Sequence, residues 1–252
     1  MRMKGWMCAY IVIAGLLLLV APAGALVPDT VEIETSSEWL TAGSSETAII
    51  TVQVSDSATG NTGFWGAAVE FAVDSAIGSI TPAVATTDAT GMATAVFTPA
   101  TTSGTATIAV TVSYEDGETE MVQTKTFEQP IDHAAPYRIA NTWYSPEVTV
   151  GETTEIAVRM VDRYGNPVDN RRVTETVGFV VGSPSGNAAL DGADVAVDAA
   201  GNATVTLRVD TLPGENIVLV SPPEPLPDRY LTIIGMTGGE PCMIEVDVQP
   251  GR

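Results

Sequence analysis

The sequence of 252 residues is poor in cysteine, in histidine and in positive charge. It has two cysteines, one histidine, and 11 lysine and arginine residues against 31 aspartate and glutamate residues. So few cysteines argue against a disulfide-rich scaffold, which needs several cysteine pairs. A formal net charge of −20 argues against nucleic-acid binding, because an acidic surface repels the phosphate backbone. Hydrophobic cores must therefore hold this chain together.

Long apolar runs are also missing, with one exception at the N-terminus. A basic start precedes an apolar stretch from Tyr10 to Ala21, and the small residues Ala23-Gly24-Ala25 follow. This order is typical of a secretory signal peptide, residues 1–25, and the run is shorter than the about 20 residues of a membrane span. An uncleaved anchor is the alternative. Cleavage leaves nine basic against 31 acidic residues, a formal charge of −22, and predicts a secreted or cell-surface protein without a membrane span.

The scarcity of cysteine and histidine also limits catalysis. Cys8 leaves with the signal peptide, and we expect Cys242 to be a small buried hydrophobic residue rather than part of an intermolecular disulfide. His133 is the single histidine, so neither a Ser-His-Asp triad nor a zinc site is expected. We predict a protein that is not an enzyme and that has no cofactor and no metal site.

Helical periodicity is absent, whereas alternation of apolar and polar residues is frequent. It is seen over Thr47–Ser55, over Val69–Val73 and, in the longest run, over Ala106–Tyr114. Such runs predict strands with one face in a core and the other in solvent. Asp116-Gly117 predicts a hairpin turn before a further strand over 119–127. The fold class predicted is all-β.

The same landmarks return after about 105 to 110 residues. Asp56, Gly60 and Asn61 are matched by Asp162, Gly165 and Asn166, and the Asp-x-x-Gly group at 88–91 is matched at 198–201. This spacing fits the about 100 residues of an immunoglobulin-type sandwich. We predict two tandem immunoglobulin-like (Ig-like) β-sandwich domains after the signal peptide. The predicted boundaries are module 1 over 26–129, a short stiff linker over 130–136, module 2 over 137–235 and a tail over 236–252. The tail resembles the first strand of a third module, either truncated or paired onto module 2.

These repeats resemble those of a known domain family. The resemblance is carried by TAGSSETAIITVQVSD, GN, GAAVEF and TDATGMATAVFTPATTSGTATIAVTV, which cover nearly all of Thr41–Val112. They resemble the bacterial Ig-like group 1 domain, the repeat of invasin- and intimin-type adhesins. Module 2 resembles it less closely, in TVGETTEIAVRMVDRYGNPVD and DAAGNATVTLRV. The resemblance implies cell-surface spacer or adhesion modules, with neighbouring Ig-like modules or other envelope components as partners.

Two aromatic pairs and one asparagine are the candidate contact residues. Phe64 and Trp65 follow the first Gly-Asn, and Trp143 and Tyr144 lie near the start of module 2. Exposed aromatics anchor interfaces, although Trp65 in the core end of module 1 or against a neighbouring module is the plainer interpretation. Asn202 heads the one Asn-x-Thr acceptor for a glycan, which chance also explains. A small secreted module that binds polysaccharide or a divalent cation is the alternative function.

Aspartates invite two further interpretations. The paired Asp-x-x-Gly groups are similar to the two catalytic loops of aspartic proteases, but Asp-x-x-Gly before a strand is ordinary turn chemistry. Oxygen-rich loops also bind calcium. Five aspartates lie in or near predicted loops without a consensus calcium loop, and we expect solvated turn residues: Asp162, Asp169, Asp191, Asp194 and Asp198.

The absence of a consensus loop predicts that this protein has no tight calcium site. The melting temperature, followed by circular dichroism, is expected to stay constant when millimolar calcium is added and again when a chelator is added. A rise of several degrees with calcium that the chelator reverses would contradict this expectation.

Overall fold

The structure is a computed structural model, and it describes residues 28–57, 60, 62–116 and 119–238. Within these ranges the chain forms strands and turns without an α-helix, so that no helix there could cross a membrane. The predicted signal peptide, Cys242 and most of the predicted tail lie outside the described residues, as does Gly117 of the predicted hairpin turn.

The first half of the described chain forms ten strands in two sheets around one core. The strands are β1 (Thr30–Thr35), β2 (Leu40–Thr41), β3 (Ala48–Asp56), β4 (Thr62–Gly63), β5 (Ala68–Ala72), β6 (Gly78–Thr81), β7 (Val84–Thr86), β8 (Met92–Pro99), β9 (Gly104–Asp116) and β10 (Thr119–Asp132). One sheet has the order β1-β3-β8-β6, with β4 on β3, and the other has the order β2-β10-β9-β5-β7. The pairing is antiparallel except between β2 and β10.

The second half repeats this arrangement with nine strands. They are β11 (Pro136–Trp143), β12 (Glu147–Thr149), β13 (Thr153–Asp162), β14 (Thr176–Gly182), β15 (Ala189–Leu190), β16 (Asp194–Ala196), β17 (Asn202–Arg208), β18 (Gly214–Ser221) and β19 (Arg229–Met236). The sheets have the orders β11-β13-β17-β15 and β12-β19-β18-β14-β16, and β12 is parallel to β19 just as β2 is parallel to β10. The matching orders confirm the prediction of tandem Ig-like sandwiches.

Alternation along the strands explains why these segments form sandwiches. In β8 every second residue from Ala93 to Pro99 is buried, and the residues between them are exposed. The inward faces form two separate cores, one in each half of the chain, with Phe97 and Phe179 among their largest fully buried side chains. Burying a side chain of this size stabilises the fold by about 1.5–3 kcal/mol.

The segment predicted as a linker is shorter in the structure. Pro130 and Ile131 belong to β10, and Ile131 pairs with Leu40 of β2 and with Gly104 of β9. Ile131 is fully buried in the core of module 1. From the sequence alone, Pro130 suggests the end of a strand, because proline has no N–H to donate. The missing N–H is tolerated because β2 begins to pair with β10 only one residue later. Only residues 133–135 therefore connect the two modules.

The two Asp-x-x-Gly groups are hairpin turns, as predicted. Asp88 accepts hydrogen bonds through its carboxylate from the backbone N–H groups of Thr90 (2.8 Å) and Met92 (3.0 Å), and Gly91 has a φ of +80°. In the second turn, Asp198 and Gly201 repeat this geometry, with a φ of +77° at the glycine. Hydrogen bonds from the Thr90 hydroxyl and from the Met92 and Thr90 backbone hold the pKa of Asp88 below its ordinary value. These carboxylates shape turns, which leaves the protease interpretation without support.

Gly91 is expected to be far less tolerant of a side chain than Gly186, although both have a positive φ. A Cβ atom at Gly91 would lie 2.3 Å from the carbonyl oxygen of Val54, whereas at Gly186, with a φ of +75°, it would meet nothing within 4 Å. Gly91→Ala should lower the free energy of unfolding by about 2–4 kcal/mol, against about 1 kcal/mol for Gly186→Ala. Urea unfolding measures both values, and equal losses in the two variants would contradict the expectation.

Candidate functional site

The two modules meet at a turn that follows β13, residues 162–166, which we call the junction turn. Asp162 is buried, and its carboxylate accepts four hydrogen bonds. The donors within the turn are the N–H of Tyr164 (2.8 Å), the N–H of Asn166 (2.9 Å) and the Nδ2 of Asn166 (2.8 Å). The fourth donor is the N–H of Ala134 (3.0 Å), in the connection between the modules. One carboxylate thus holds the shape of the turn and ties it to the connection.

The other side of the junction turn contacts the end of module 1. Asn166 accepts a hydrogen bond from the N–H of Ser103 (3.1 Å) and donates one to the carbonyl oxygen of Thr101 (2.8 Å). The hydroxyl of Tyr164 donates to the carbonyl oxygen of Gly43 (3.2 Å). These bonds join backbone of module 1 to side chains of module 2, so they depend on how the two modules are oriented.

Gly43 makes the close approach of Tyr164 sterically feasible. Its φ is +64°, and a Cβ atom there would lie 2.2 Å from the hydroxyl oxygen of Tyr164. The corresponding glycine of module 2, Gly151, has a φ of +79°, and a Cβ atom there would meet nothing within 4 Å. The two repeats thus carry the same turn, but only the first one is covered by another module among the described residues.

A network of charges, with buried carboxylates and exposed guanidinium groups, lies beside the junction turn. Asp169 binds the guanidinium of Arg171 at 2.7 and 2.8 Å, and Asp132 lies 3.8 Å from Arg172 and 3.7 Å from the Nε2 of His133. The spacing here also suits a metal ion, because one ligand atom from each of three residues lies within 4.8 Å of the other two: Asp132, His133 and Asp169. The adjacent guanidinium groups already neutralise the two carboxylates, so this donor set fits a metal poorly and we assign it as an ion-pair network.

The predicted aromatic pair of module 1 lines a cavity at the opposite end of that module. The cavity has a volume of about 820 Å³. Phe64 packs against the core, with its ring centroid 5.2 Å from that of Tyr114, whereas Trp65 is 73% exposed. The interpretation that Trp65 fills the end of the core is therefore wrong, because Phe64 already occupies that position.

The second aromatic pair lies elsewhere. Trp143 ends β11 and is 48% exposed, and Tyr144 follows it and is 38% exposed. Because β11 begins at the junction, these residues lie about 20 Å along the strand from it. The structure does not bring them together with Phe64 and Trp65.

Asn202 and the loop aspartates take part in turns. The Nδ2 of Asn202, the atom that would carry a glycan, donates to Asp198 (3.1 Å). Asp191 is exposed and accepts a hydrogen bond from the N–H of Thr206 (2.8 Å), which is the main reason why its pKa lies below the ordinary value. Asp194 is also exposed. The expectation of solvated aspartates is wrong for Asp162 and Asp169, which are buried in the junction.

Asp210 is a buried carboxylate that the sequence analysis missed. It accepts hydrogen bonds from the N–H of Ser185 (2.8 Å), the N–H of Leu212 (3.0 Å) and the hydroxyl of Ser185. Hydrogen bonds from the hydroxyls of Ser183 and Ser185 hold the pKa of Asp210 far below its ordinary value of 3.8. The sequence signal is an aspartate four residues before the Gly214 that opens β18.

Asp210→Asn is expected to lower the melting temperature at neutral pH, because an amide carries no charge and has one acceptor oxygen fewer. The pKa of Asp210 is lower in the folded than in the unfolded chain, so its contribution is complete well above pH 3.8 and is lost as the pH falls through the folded value. The gap in melting temperature between the parent protein and the variant should be constant from pH 7 to about 5 and shrink below about 4. Asp194→Asn, an exposed site, serves as the control. A gap that stays the same in strong acid would contradict the assignment.

Comparison with solved structures finds Ig-like domains of bacterial surface proteins. Yersinia pseudotuberculosis InvD matches with 20% identity and a TM-score of 0.57, over 81% of this chain and 57% of that one. The Escherichia coli adhesin FdeC matches with 15% identity and a TM-score of 0.46, over 85% and 66%. The D0-D1 domain of intimin matches with 17% identity and a TM-score of 0.34, over 82% and 98%.

These matches concern the fold. The likeness to InvD confirms the expected resemblance to invasin- and intimin-type Ig-like domains at the level of architecture. The two matches with TM-scores below 0.5 add no argument. No protein-family model matches the sequence, and no curated protein matches it.

Proposed function

We propose that this chain is an exported cell-surface or envelope protein whose two Ig-like modules act as a spacer in adhesion, without catalysis. The main support for the proposal is the contact between the junction turn and the end of module 1. A spacer must keep its modules at a defined angle, and the contacts of Asp162, Tyr164 and Asn166 are of the kind that does so.

The short connection supports a defined orientation. Domains of one chain move relative to each other by default, unless the connection and the interface between them restrict this motion. Here three residues, 133–135, link the modules. One of them, Ala134, is held by the buried Asp162, and His133 lies in the ion-pair network with its side chain 8% exposed. These contacts therefore restrict the conformations that residues 133–135 can adopt.

The charges of the chain fit an exposed role. The ion-pair network balances Asp132 and Asp169 against Arg171 and Arg172, so the junction itself holds little net charge. The excess negative charge of the chain therefore lies on its surface. Such a surface keeps an extended protein soluble and repels anionic lipid headgroups.

The positions of the reactive groups favour a non-catalytic role. His133 belongs to the ion-pair network, and the Asp-x-x-Gly aspartates shape hairpins. The buried carboxylate of Asp162 uses its oxygens to accept hydrogen bonds from backbone and amide N–H groups. We infer that these residues support the architecture, and that surface partners or further Ig-like modules are what the protein contacts.

Two glycine variants test whether the junction turn sets the angle between the two modules. Gly43→Ala and Gly151→Ala both place a side chain at a positive φ, which costs about 1 kcal/mol in each. Only Gly43→Ala also drives a Cβ atom into Tyr164, which should cost about 1–3 kcal/mol more or displace the junction turn. Distances between spin labels on the two modules should broaden in Gly43→Ala and stay narrow in the parent protein and in Gly151→Ala.

The control for folding is circular dichroism of both variants, in which the β spectrum should be kept. A narrow distance distribution in folded Gly43→Ala would show that the junction turn does not set the angle between the modules. A broad distribution in the parent protein would contradict the spacer proposal itself.

A further inference from the structure

The end of module 1 that lies away from the junction carries a cavity that the spacer role does not use. The hairpin of β9 and β10 runs from the pair Gly104 and Ile131, at the junction end, to the pair Asp116 and Thr119 at the other end. Twelve residues of extended β10 separate these pairs, a distance of about 40 Å. The cavity of about 820 Å³ lies at the far end, on the outer side of the sheet. Its lining consists of Phe64, Trp65, Gly66, Ala68, Ser113, Tyr114, Glu115 and Glu120.

Two glutamates face each other across the strands that form the floor of this cavity. Glu115 of β9 is directly opposite Glu120 of β10 in the antiparallel register, and both side chains are exposed. Residues in this relation have Cβ atoms about 5 Å apart on the same face, and like charges there destabilise the sheet. Neither glutamate forms an ion pair with a basic residue in the part of the chain that the structure describes.

An aromatic wall stands beside the two carboxylates. Trp65 exposes 73% of its surface, although a large apolar side chain gains most by burial. The rings of Phe64 and Tyr114 continue the wall inward, with their centroids 5.2 Å apart. The face of an indole attracts a cation within about 6 Å, and tryptophan does so more strongly than the other aromatic residues.

The turn that carries Trp65 is held on both sides. The N–H of Phe64 donates to the carbonyl oxygen of Val54 (2.9 Å), and the hydroxyl of Thr87 donates to the carbonyl oxygen of Phe64 (2.7 Å). The N–H of Gly66 in turn donates to the carbonyl oxygen of Thr87 (3.0 Å). Thr87 is buried, so the backbone around Trp65 is anchored in the sandwich. The backbone that carries Trp65 is therefore preformed, which lowers the entropy lost on binding.

The two carboxylates of the cavity favour a ligand that donates hydrogen bonds. Ionised Glu115 and Glu120 only accept them, and the hydroxyl of Tyr114 already donates to the carbonyl oxygen of Pro28 (2.9 Å). An ammonium group offers three donors and a guanidinium group five, and neither accepts. A bare metal ion needs six or more oxygens in a small cage, and aromatic walls do not supply them.

We propose that this cavity binds an organic cation, an alkylammonium or guanidinium group, which lies against the Trp65 ring and between Glu115 and Glu120. The lysine or arginine side chains of a basic protein segment carry this chemistry, and so does a free polyamine. The bound cation removes the repulsion between the two glutamates and places an apolar stem along the aromatic wall. This site goes beyond the spacer role and does not depend on it.

Isothermal titration calorimetry of the whole chain with spermine and with a hexalysine peptide tests the proposal. Both probes should bind the parent protein at an ionic strength of about 0.15 M, where the Debye length is about 8 Å. Trp65→Ala and the double variant Glu115→Gln/Glu120→Gln should each weaken binding at least tenfold. Fully acetylated hexalysine, which has lost its charges, should not bind. A preference for hexalysine indicates a protein partner, and a preference for spermine indicates a free polyamine.

Two control variants separate the site from general charge. Glu32→Gln/Glu34→Gln removes the same charge from exposed positions of the same module, which line a smaller cavity without aromatic residues. Trp143→Ala removes an exposed aromatic residue from module 2. Both should bind the probes within about twofold of the parent protein, because screening weakens distant charges. Equal losses in the two glutamate variants, binding of the acetylated peptide, or no binding to the parent protein would each overturn the proposal.

The melting temperature gives a second readout that needs no ligand. Because like charges across a strand pair destabilise it, Glu120→Gln should raise the melting temperature by roughly 1–4 °C, whereas Glu32→Gln should change it less. A fall in Glu120→Gln, with the β spectrum kept, would show that the glutamate serves the fold and not a ligand. Spin-label distances in the same variants should match the parent protein, so that failure of the site is distinguishable from failure of the spacer.

Discussion

The buried carboxylate of Asp162 is the constraint on which the arrangement of the two modules depends. A buried ionised group without donors costs several kcal/mol, so its four hydrogen bonds must all form when the protein folds. Three of them close the junction turn, and the fourth fixes the connection at Ala134. The shape of the turn and the path of the connection are thus determined together.

Charged side chains are arranged differently at the two ends of module 1. At the junction, Asp132 and Asp169 are buried beside the guanidinium groups of Arg171 and Arg172, and the charges cancel. At the far end, two glutamates face each other beside an exposed indole, without a basic partner among the described residues. The first arrangement joins two parts of one chain, and the second is where we propose that a positively charged ligand binds.

Features that depend on near neighbours in the chain could be predicted from the sequence, whereas features that depend on distant segments could not. Strands such as β8 follow from alternation, because each side chain meets either core or water according to the pleat. The turns at Asp88 and Asp198 follow from four or five consecutive residues. The linker was placed incorrectly because Pro130 obscures the burial of Ile131, which depends on β2, about 90 residues earlier. The sequence leaves Trp65 either in the end of the core or against a neighbouring module, because nothing in it ranks Trp65 against Phe64 for the core position.

The sequence by itself determined the β-sandwich class, the repeat of about 105 to 110 residues and the glycine turns, since periodicity and turn chemistry act between near neighbours. Only the tertiary structure decided which aspartates are buried, since Asp162 needs donors from another segment. It also decided that Gly43 leaves room for Tyr164, 121 residues away, and that Glu115 and Glu120 lie beside Trp65. Contacts of this kind depend on how whole sheets pack, and no local pattern records that packing.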